Sequence, residues 1–395
     1  MNKTLLVLGA STYQIPVIKT GKALGYRVVT ADNVPANPGH SLADASFEVD
    51  TKDPDGILTL AKMQKIAGII APATDIAVMT AAYVAEQLCL PGVQPAAASI
   101  LSQKDRFRKF LRQTGIPSPR AFSVVTDELP DGHLFQGRKW LIKPNRSSGS
   151  KGVFIIETAD EFLSRVSESR GFSLDGTALL EEFIEGTQHT CDGVLHDGRI
   201  PLALMTDRDT APRPYTATTG HRVPSRLTKI MQAKVLRLIA ETLCRVGVTN
   251  GPFDCDFVAN EDHIFLIEMA PRLGGNSLSK LFRAALNYDL VAYAVRQACG
   301  DPSPVPELCQ PKPMALALLG SERAGHLLWN EREADALRQE TWVNRLTFDF
   351  PQGTQVEPFI NGRRRVGEAL ITGTDRNEVD KHLTEFKSRL ALTAV

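Results

Sequence analysis

Several common signatures are missing from this sequence of 395 residues. Cysteine is sparse: Cys89, Cys191, Cys244, Cys255, Cys299 and Cys309 include no CxxC pair, so they read as scattered reduced thiols. Surplus charge is absent, with 45 Lys and Arg against 45 Asp and Glu. With no long basic block either, nucleic acid is not an expected partner. No apolar run reaches the length of a membrane span. The opening MNKTLLVLGAS is too short and too soon interrupted for a secretory signal. A cytoplasmic enzyme with no membrane partner is the resulting expectation. Two glycine fingerprints are also missing. GxGxxG does not follow the first strand, which leaves NAD chemistry the weakest reading, and GxxxxGK[ST] occurs nowhere. There is no low-complexity segment and no internal repeat. The length predicts roughly two to four domains.

What is present begins with an α/β pattern. Thr4 to Leu8 reads as a strand, Gly9 to Thr12 as a small-residue turn, Gln14 to Leu24 as a helix ended by Gly25, and Tyr26 to Thr30 as a second strand leading to Asp32. This βαβ opening places its first loop at the carboxyl edge of a parallel sheet. Strands at Phe47 to Val49 and Gly68 to Ala71 and helices over Pro54 to Lys65 and Ile76 to Leu88 complete a small parallel domain. A basic helix is predicted over Ser102 to Gln113, capped by Ser102 with Asp105 in capping-box position. Gly115, Pro117 and Pro119 mark a hinge after it. Asp207 to Ser225 reads as a long polar loop. In it His221 is open to three roles (general base, anion donor or structural histidine), and anion or substrate contact is favoured for this stretch. Arg363 to Arg365 reads as a solvated basic turn.

Three stretches carry chemistry. Gly251 to Asn276 reads as two strands joined by a polar turn, then a glycine break and a helix. A hairpin would set Asp256 beside Glu268, where the two could share a divalent cation, with Arg272 placed to meet an anion; ordinary solvated acids are the plainer alternative. Mg2+ takes oxygen ligands and usually keeps substrate phosphates among them. In the second stretch Lys143 ends the strand Trp140 to Pro144. The Gly/Ser-rich loop Asn145 to Gly152 follows, then a strand from Val153 to Ile156. Free backbone N–H groups in such a loop suit phosphates, although a surface hairpin would look alike. The third is Ala178 to Leu180 running into Glu181, Glu182, Phe183 and Ile184, which suits an adenine edge and ribose or a plain linker.

In this order LIKPNRSSGSKG, LLEEFIEG and GPFDCDF…LIEMAPRLGG resemble the ATP-grasp superfamily, in particular its carboxylate–amine ligases, related to carbamoyl-phosphate synthase halves and N5-carboxyaminoimidazole ribonucleotide synthases. The resemblance covers residues 1 to about 300 and more loosely the tail. It implies an α/β ATP-grasp fold with an N-terminal parallel α/β domain (1–98), a linker helix and mobile lid subdomain (99–188), a catalytic subdomain with the metal site (189–302) and a C-terminal α+β domain (303–395). By the same resemblance Lys104 and Lys143 meet the nucleotide phosphates, and Ser147, Ser148, Gly149, Ser150 and Gly152 belong to the flap above them. Glu181, Glu182, Phe183 and Ile184 line the adenine hinge, and Gln188 replaces a ribose-binding glutamate. Asp256 and Glu268 are the implied metal ligands, and Arg272 steadies the transferred phosphoryl group. His221, Arg222, Arg272 and Asn276 are candidates for a substrate carboxylate. ATP and Mg2+ are the implied cofactors, with Mn2+ able to substitute. Small carboxylates and amines are the implied partners, and a homodimer is allowed. Two departures bear on the metal: Ala270 stands where an asparagine is usual, and Asp256 where glutamate is usual. The implied reaction is amide or peptide bond formation on an amino acid or small metabolite through an acyl phosphate, with flap closure excluding water. Bicarbonate activation and a non-catalytic ATP-binding homologue are the alternatives.

Overall fold

Buried aliphatic runs set the first sheet. In the computed structural model, which describes residues 2–129, 132–261, 263–305, 307 and 309–395, β1 (Thr4–Leu8), β2 (Arg27–Ala31), β3 (Ala45–Phe47) and β4 (Gly68–Ile70) form a parallel sheet in the order β3-β2-β1-β4. Asp262 in the expected polar turn and residues 306 and 308 in the proline-rich crossing lie outside the described residues. Every residue of β1 is buried. The helix Pro54–Gln64 starts where its grammar says it should, with Asp53 accepting the Gly56 amide and Pro54 in the first turn.

The linker departs from the expected single helix. Pro95–Ser102 and Lys104–Gln113 are two helices separated by Gln103, whose backbone is extended. Ser102 therefore ends a helix and caps nothing. The amide of Asp105 is instead taken by the Asn145 side chain at 3.0 Å, a cap supplied from a distant strand end that local sequence does not show.

The lid is an antiparallel sheet of β5 (Ala121–Val124), β6 (Trp140–Pro144), β7 (Phe154–Ile156) and β8 (Ala178–Glu182), in the order β5-β8-β6-β7. The helix Ala159–Gly171 covers it and opens on a full capping box between Thr158 and Glu161. Trp140, Ile142, Phe154, Phe162 and Leu180 make up its core.

The largest sheet is antiparallel. It contains β9 (Thr187–His196), β10 (Arg199–Thr210), β11 (Thr218–Val223), β12 (Gly251–Ala259), β13 (Ile264–Ala270), β14 (Met314–Leu319), β16 (Val343–Phe348) and β18 (Gly367–Thr372). Their order is β13-β12-β9-β10-β11-β14-β18-β16. A small sheet of β15 (Gly325–Leu328), β17 (Gln355–Val356) and β19 (Thr393–Ala394) flanks the C-terminal end. Two expectations change here. The stretch Asp207 to Ser225 is mostly sheet, because β10 runs to Thr210 and β11 begins at Thr218. Its polar residues pair across the ladder, Arg208 opposite His221 and Asp207 opposite Arg222, which hides the apolar alternation that normally betrays a strand. The C-terminal residues also share the sheet built by residues 189–302: β14 pairs with β11, and β18 and β16 continue from it. The boundary drawn at 303 thus cuts through one sheet. Glu368 on β18 reaches back to Ser277, Lys280 and Arg365. Arg365 is itself buried and paired with Asp349, so the basic run is not a solvated turn throughout.

Candidate active site

A cavity of about 630 Å³ lies between the loops of the first sheet, the lid and the large sheet. Lys104, Lys143, Ser147, Ser148, Gly149, Ser150, Glu181, Glu182, Phe183, Ile184, Gln188, Asp256, Glu268, Arg272 and Asn276 all line it. Gly152, His221 and Arg222 do not.

The floor is the β12–β13 hairpin. Asp256 stands opposite Glu268 in register, with a bulge after Asp256. Asp256 accepts from the Thr190 hydroxyl at 2.5 Å and from Arg208 at 3.0 Å. Burial, with the neighbouring Asp254 and Glu268 charges, raises its pKa despite Arg208. Glu268 lies 3.4 Å from the Lys104 ammonium, which also donates to the Ser147 carbonyl at 3.1 Å. Burial works against ionised Glu268, but Lys104, Lys143 and Arg272 outweigh it and lower its pKa. Among the described residues no three His, Cys, Asp or Glu side chains are grouped to hold a metal. Two adjacent carboxylates, with the rest of the shell open to phosphate oxygens, still fit a hard divalent cation.

Behind the floor is a buried charge cluster. Lys143 donates to Glu181 at 2.8 Å, and Arg108 donates to the other oxygen of the same carboxylate at 2.6 Å. The Arg108 guanidinium also donates to the Leu266 and Ile267 carbonyls, which ties the linker helix to β13. Burial lowers the Lys143 pKa to about 8 against the pull of Glu181. Burial would raise Glu181, but Arg108 and Lys143 hold it at about 2. Glu181 therefore points into this cluster, and the expectation of a hinge role is corrected for its side chain. Alternation along β8 turns Glu182 to the face opposite Glu181, where it pairs with Arg120 at 3.2 Å.

Arg272 is clamped by Asp75 from the first domain and Asp254 from β12. Burial opposes its charge, but the two carboxylates raise its pKa above the usual arginine value. Asp254 faces Asp192 across the β12–β9 ladder, and both Asp192 oxygens are buried without a hydrogen-bond partner among the described residues. Burial and the neighbouring Asp254 charge push the Asp192 pKa well up. Position 274 has to be glycine, since a Cβ there would sit 2.6 Å from Asp192 Oδ2.

The substrate reading of His221 and Arg222 does not fit their places. His221 is buried, its Nδ1 3.0 Å from the Thr206 hydroxyl, and burial lowers its pKa to about 3. Arg222 pairs with Asp209 and Asp380 on the C-terminal side. Sequence reasoning missed Asp75, Arg108, Asp192, Arg208 and Asp254. For Asp254 a signal existed: two residues before Asp256 on a strand, it must share that residue's face. Arg108 meets its partners, and Asp192 comes to face Asp254, through tertiary pairing alone.

Residues 138–280 match the ATP-grasp domain family. The chain is 27% identical over 392 residues to a formate-dependent phosphoribosylglycinamide formyltransferase of Burkholderia pseudomallei, covering 95% of this chain and 91% of the relative. It is 25% identical over 339 residues to carnosine synthase 1 of Gallus gallus, covering 78% of this chain but only 36% of that longer protein. Among solved structures, an L-amino acid ligase from Bacillus licheniformis superposes with a TM-score of 0.82 at 15% identity, covering 100% of this chain and 98% of that one. An N5-carboxyaminoimidazole ribonucleotide synthetase from Thermotoga maritima gives 0.75 at 17% identity, covering both chains fully. The two structural superpositions span the whole chain, including the C-terminal strands.

Proposed function

Because the chain carries an ATP-grasp domain within a full-length ATP-grasp fold, we propose that it is a cytoplasmic, ADP-forming carboxylate–amine ligase. The observation that carries this reading is the in-register pair Asp256 and Glu268, set in one cavity with Lys104, Lys143 and Arg272. Lys104 and Lys143 hold nucleotide phosphates, and the amides of the Ser147 to Gly152 loop lie over them. Phe183 and Ile184 take the base, and the Gln188 amide bonds a ribose hydroxyl. Asp256 and Glu268 would hold Mg2+, for which Mn2+ would substitute, and the ion would offset charge on the phosphoryl oxygens.

A carboxylate oxygen attacks the γ-phosphorus, ADP leaves, and an acyl phosphate remains. Arg272, fixed by two carboxylates, steadies the transferred group in both halves of the reaction. An amine nitrogen then attacks the acyl carbon, phosphate departs, and the nitrogen gives up a proton. Lid closure keeps water from the mixed anhydride. Asn276 and the Gly9 to Gln14 loop border the remaining space for acid and amine. Asp32 serves as a brace for that loop, accepting from the Ala10 and Val34 amides and from Asn37.

The relatives' names support amino acids as one substrate class, since two of them are an L-amino acid ligase and carnosine synthase. The formyltransferase is by name formate-dependent. The test supplies purified protein with ATP, Mg2+ and pools of amino acids, with separate formate and bicarbonate arms. Substrate-dependent ADP release together with a condensation product by mass spectrometry supports the ligase. Phosphate release with bicarbonate alone would turn the reading to carboxylation, and no turnover in any arm would sink it.

A further inference from the structure

Backbone strain marks one segment of the cavity wall. Among the described residues with a left-handed backbone and a side chain, only Asn276 (φ 50) and Ser277 (φ 60) are consecutive. Side chains resist this conformation, asparagine less than serine. It persists where the surroundings over-determine it. Asn276 lines the cavity, close beyond Arg272, and its carboxamide has no hydrogen-bond partner among the described residues. Ser277 immediately precedes the helix Leu278–Leu286, a place where a serine hydroxyl normally accepts a backbone N–H of the first turn. Here that hydroxyl caps nothing.

The C-terminal strand takes it instead. The Ser277 hydroxyl donates to Glu368 on β18 and accepts from Arg365 at 3.1 Å. Glu368 is 1% exposed, and its carboxylate also meets Lys280 at 2.5 Å, Arg365 at 3.2 Å and Arg345 at 3.3 Å. Lys280 lies in the first turn of the helix that follows Ser277. Glu368 therefore holds this segment at two points, the second strained residue and the helix start. Burial works against an ionised Glu368, but hydrogen bonds from Lys280 and Ser277, with the Lys280 and Arg365 charges, lower its pKa. It stays an acceptor for both ties at neutral pH.

We propose that Glu368 is a positioning residue of this site: through Ser277 and Lys280 it keeps the left-handed pair in place, so that the Asn276 carboxamide is presented to a condensing substrate. Neither Glu368 nor Ser277 lines the cavity, so the effect passes through the backbone to Asn276. The carboxamide is uncharged and carries both a donor and an acceptor. Its N–H suits a substrate carboxylate, and its oxygen suits an amine. The brace rests on the geometry of the turn; its bearing on a substrate rests on the ligase reading.

The test is a mutant cycle on the full chain, built on the fact that glycine takes a positive φ without support. Kinetics use ATP, Mg2+ and the amino acid or formate that gives product in the ligase assay. E368Q and S277A should each raise the KM for that substrate about tenfold, the size expected from freeing one strained residue, with the KM for ATP nearly unchanged. S277A leaves the Glu368 charge cluster intact, so it carries the test if E368Q does not fold. In an S277G background, E368Q should have little further effect. A loss of the same size in both backgrounds would overturn the proposal, because Glu368 would then act through charge or stability alone. An unchanged substrate KM, or an equal rise in the KM for ATP, would overturn it too. Hydrogen exchange gives a second reading that needs no turnover. The Lys280 and Leu281 amides donate to the Ser277 carbonyl at 3.0 and 3.4 Å, and the Leu278 amide to the Gly275 carbonyl at 3.0 Å. In E368Q and S277A these amides should exchange faster than in wild type, with the first parallel sheet unchanged. If neither an amino acid nor formate turns over, the ligase reading fails and exchange alone decides: faster rates uphold the brace, and wild-type rates in both variants overturn it.

Discussion

Glu181 is a carboxylate whose neighbours decide its role. Its sequence position suggested contact with the base, but Lys143 and Arg108 enclose it. Changing Glu181 to Gln removes the only carboxylate paired with Lys143 among the described residues. The lysine pKa should then fall below about 8, leaving less positive charge for phosphates at neutral pH. Nucleotide affinity of E181Q, measured by calorimetry at pH 7.5, is expected to drop tenfold or more. Melting should also fall, since breaking a buried pair costs about 3–5 kcal/mol. His221 makes a separate prediction. Its folded pKa of about 3 lies below the unfolded value near 6.5. The unfolded chain therefore binds the proton first, and this residue's contribution to stability is lost as pH falls from about 6.5 toward 3. The slope is at most about 1.4 kcal/mol per pH unit. Urea unfolding at a series of pH values should show a shallower acid decline for H221Q than for wild type; equal slopes would refute the assignment. That Lys143, Glu268 and Arg272 share a cavity was legible because each lies near a strand end or turn with a distinctive motif, and Asp256 joined them because a hairpin sets it opposite Glu268. Arg108 was not, because one arginine among five basic residues on a helix gives no sign of which one turns inward.

At the level of elements, what could be read followed periodicity. The β12–β13 hairpin and the helix Pro54–Gln64 stand where the alternation and the cap put them. The β10–β11 pair was hidden by polar residues that satisfy each other only after pairing. The lid loop depends on a backbone that side chains resist: Gly152 has φ +66, and a Cβ there would come within 2.7 Å of Phe172 Cδ2. The left-handed conformation alone costs about 1–2 kcal/mol for an alanine. G152A is therefore expected to raise the KM for ATP severalfold, with a smaller effect on the KM of the other substrates. An unchanged KM for ATP would show that the loop does not need this conformation to close.

Across the whole molecule, one ion pair joins two domains at the reacting centre. Arg272 belongs to the large sheet's segment, and Asp75 follows the last strand of the first domain. D75N keeps the size of the side chain but removes its charge, which leaves Arg272 clamped by Asp254 alone. A fall in kcat of at least tenfold, with nucleotide affinity nearly unchanged, is the expected result. Metal binding is predicted at the same scale: with the ATP analogue present, Mn2+ should give a protein-bound signal by electron paramagnetic resonance, and D256N and E268Q should each weaken it at least tenfold. The division of the chain was only partly legible, because composition marks the hinges but not which strands will share a sheet.

The shared sheet also fixes an order of events during synthesis. β11 acquires its far neighbour only when β14 has been made, and Ser277 and Lys280, just beyond Arg272, meet Glu368 only when β18 has followed. A nascent chain still tethered to the ribosome has already produced the lid and the acidic hairpin, yet it presents β11 as an open edge, a template for mispairing. The large sheet is thus completed only when the C-terminal strands emerge, and a chaperone that shields this edge until then should raise the yield of nucleotide-binding protein.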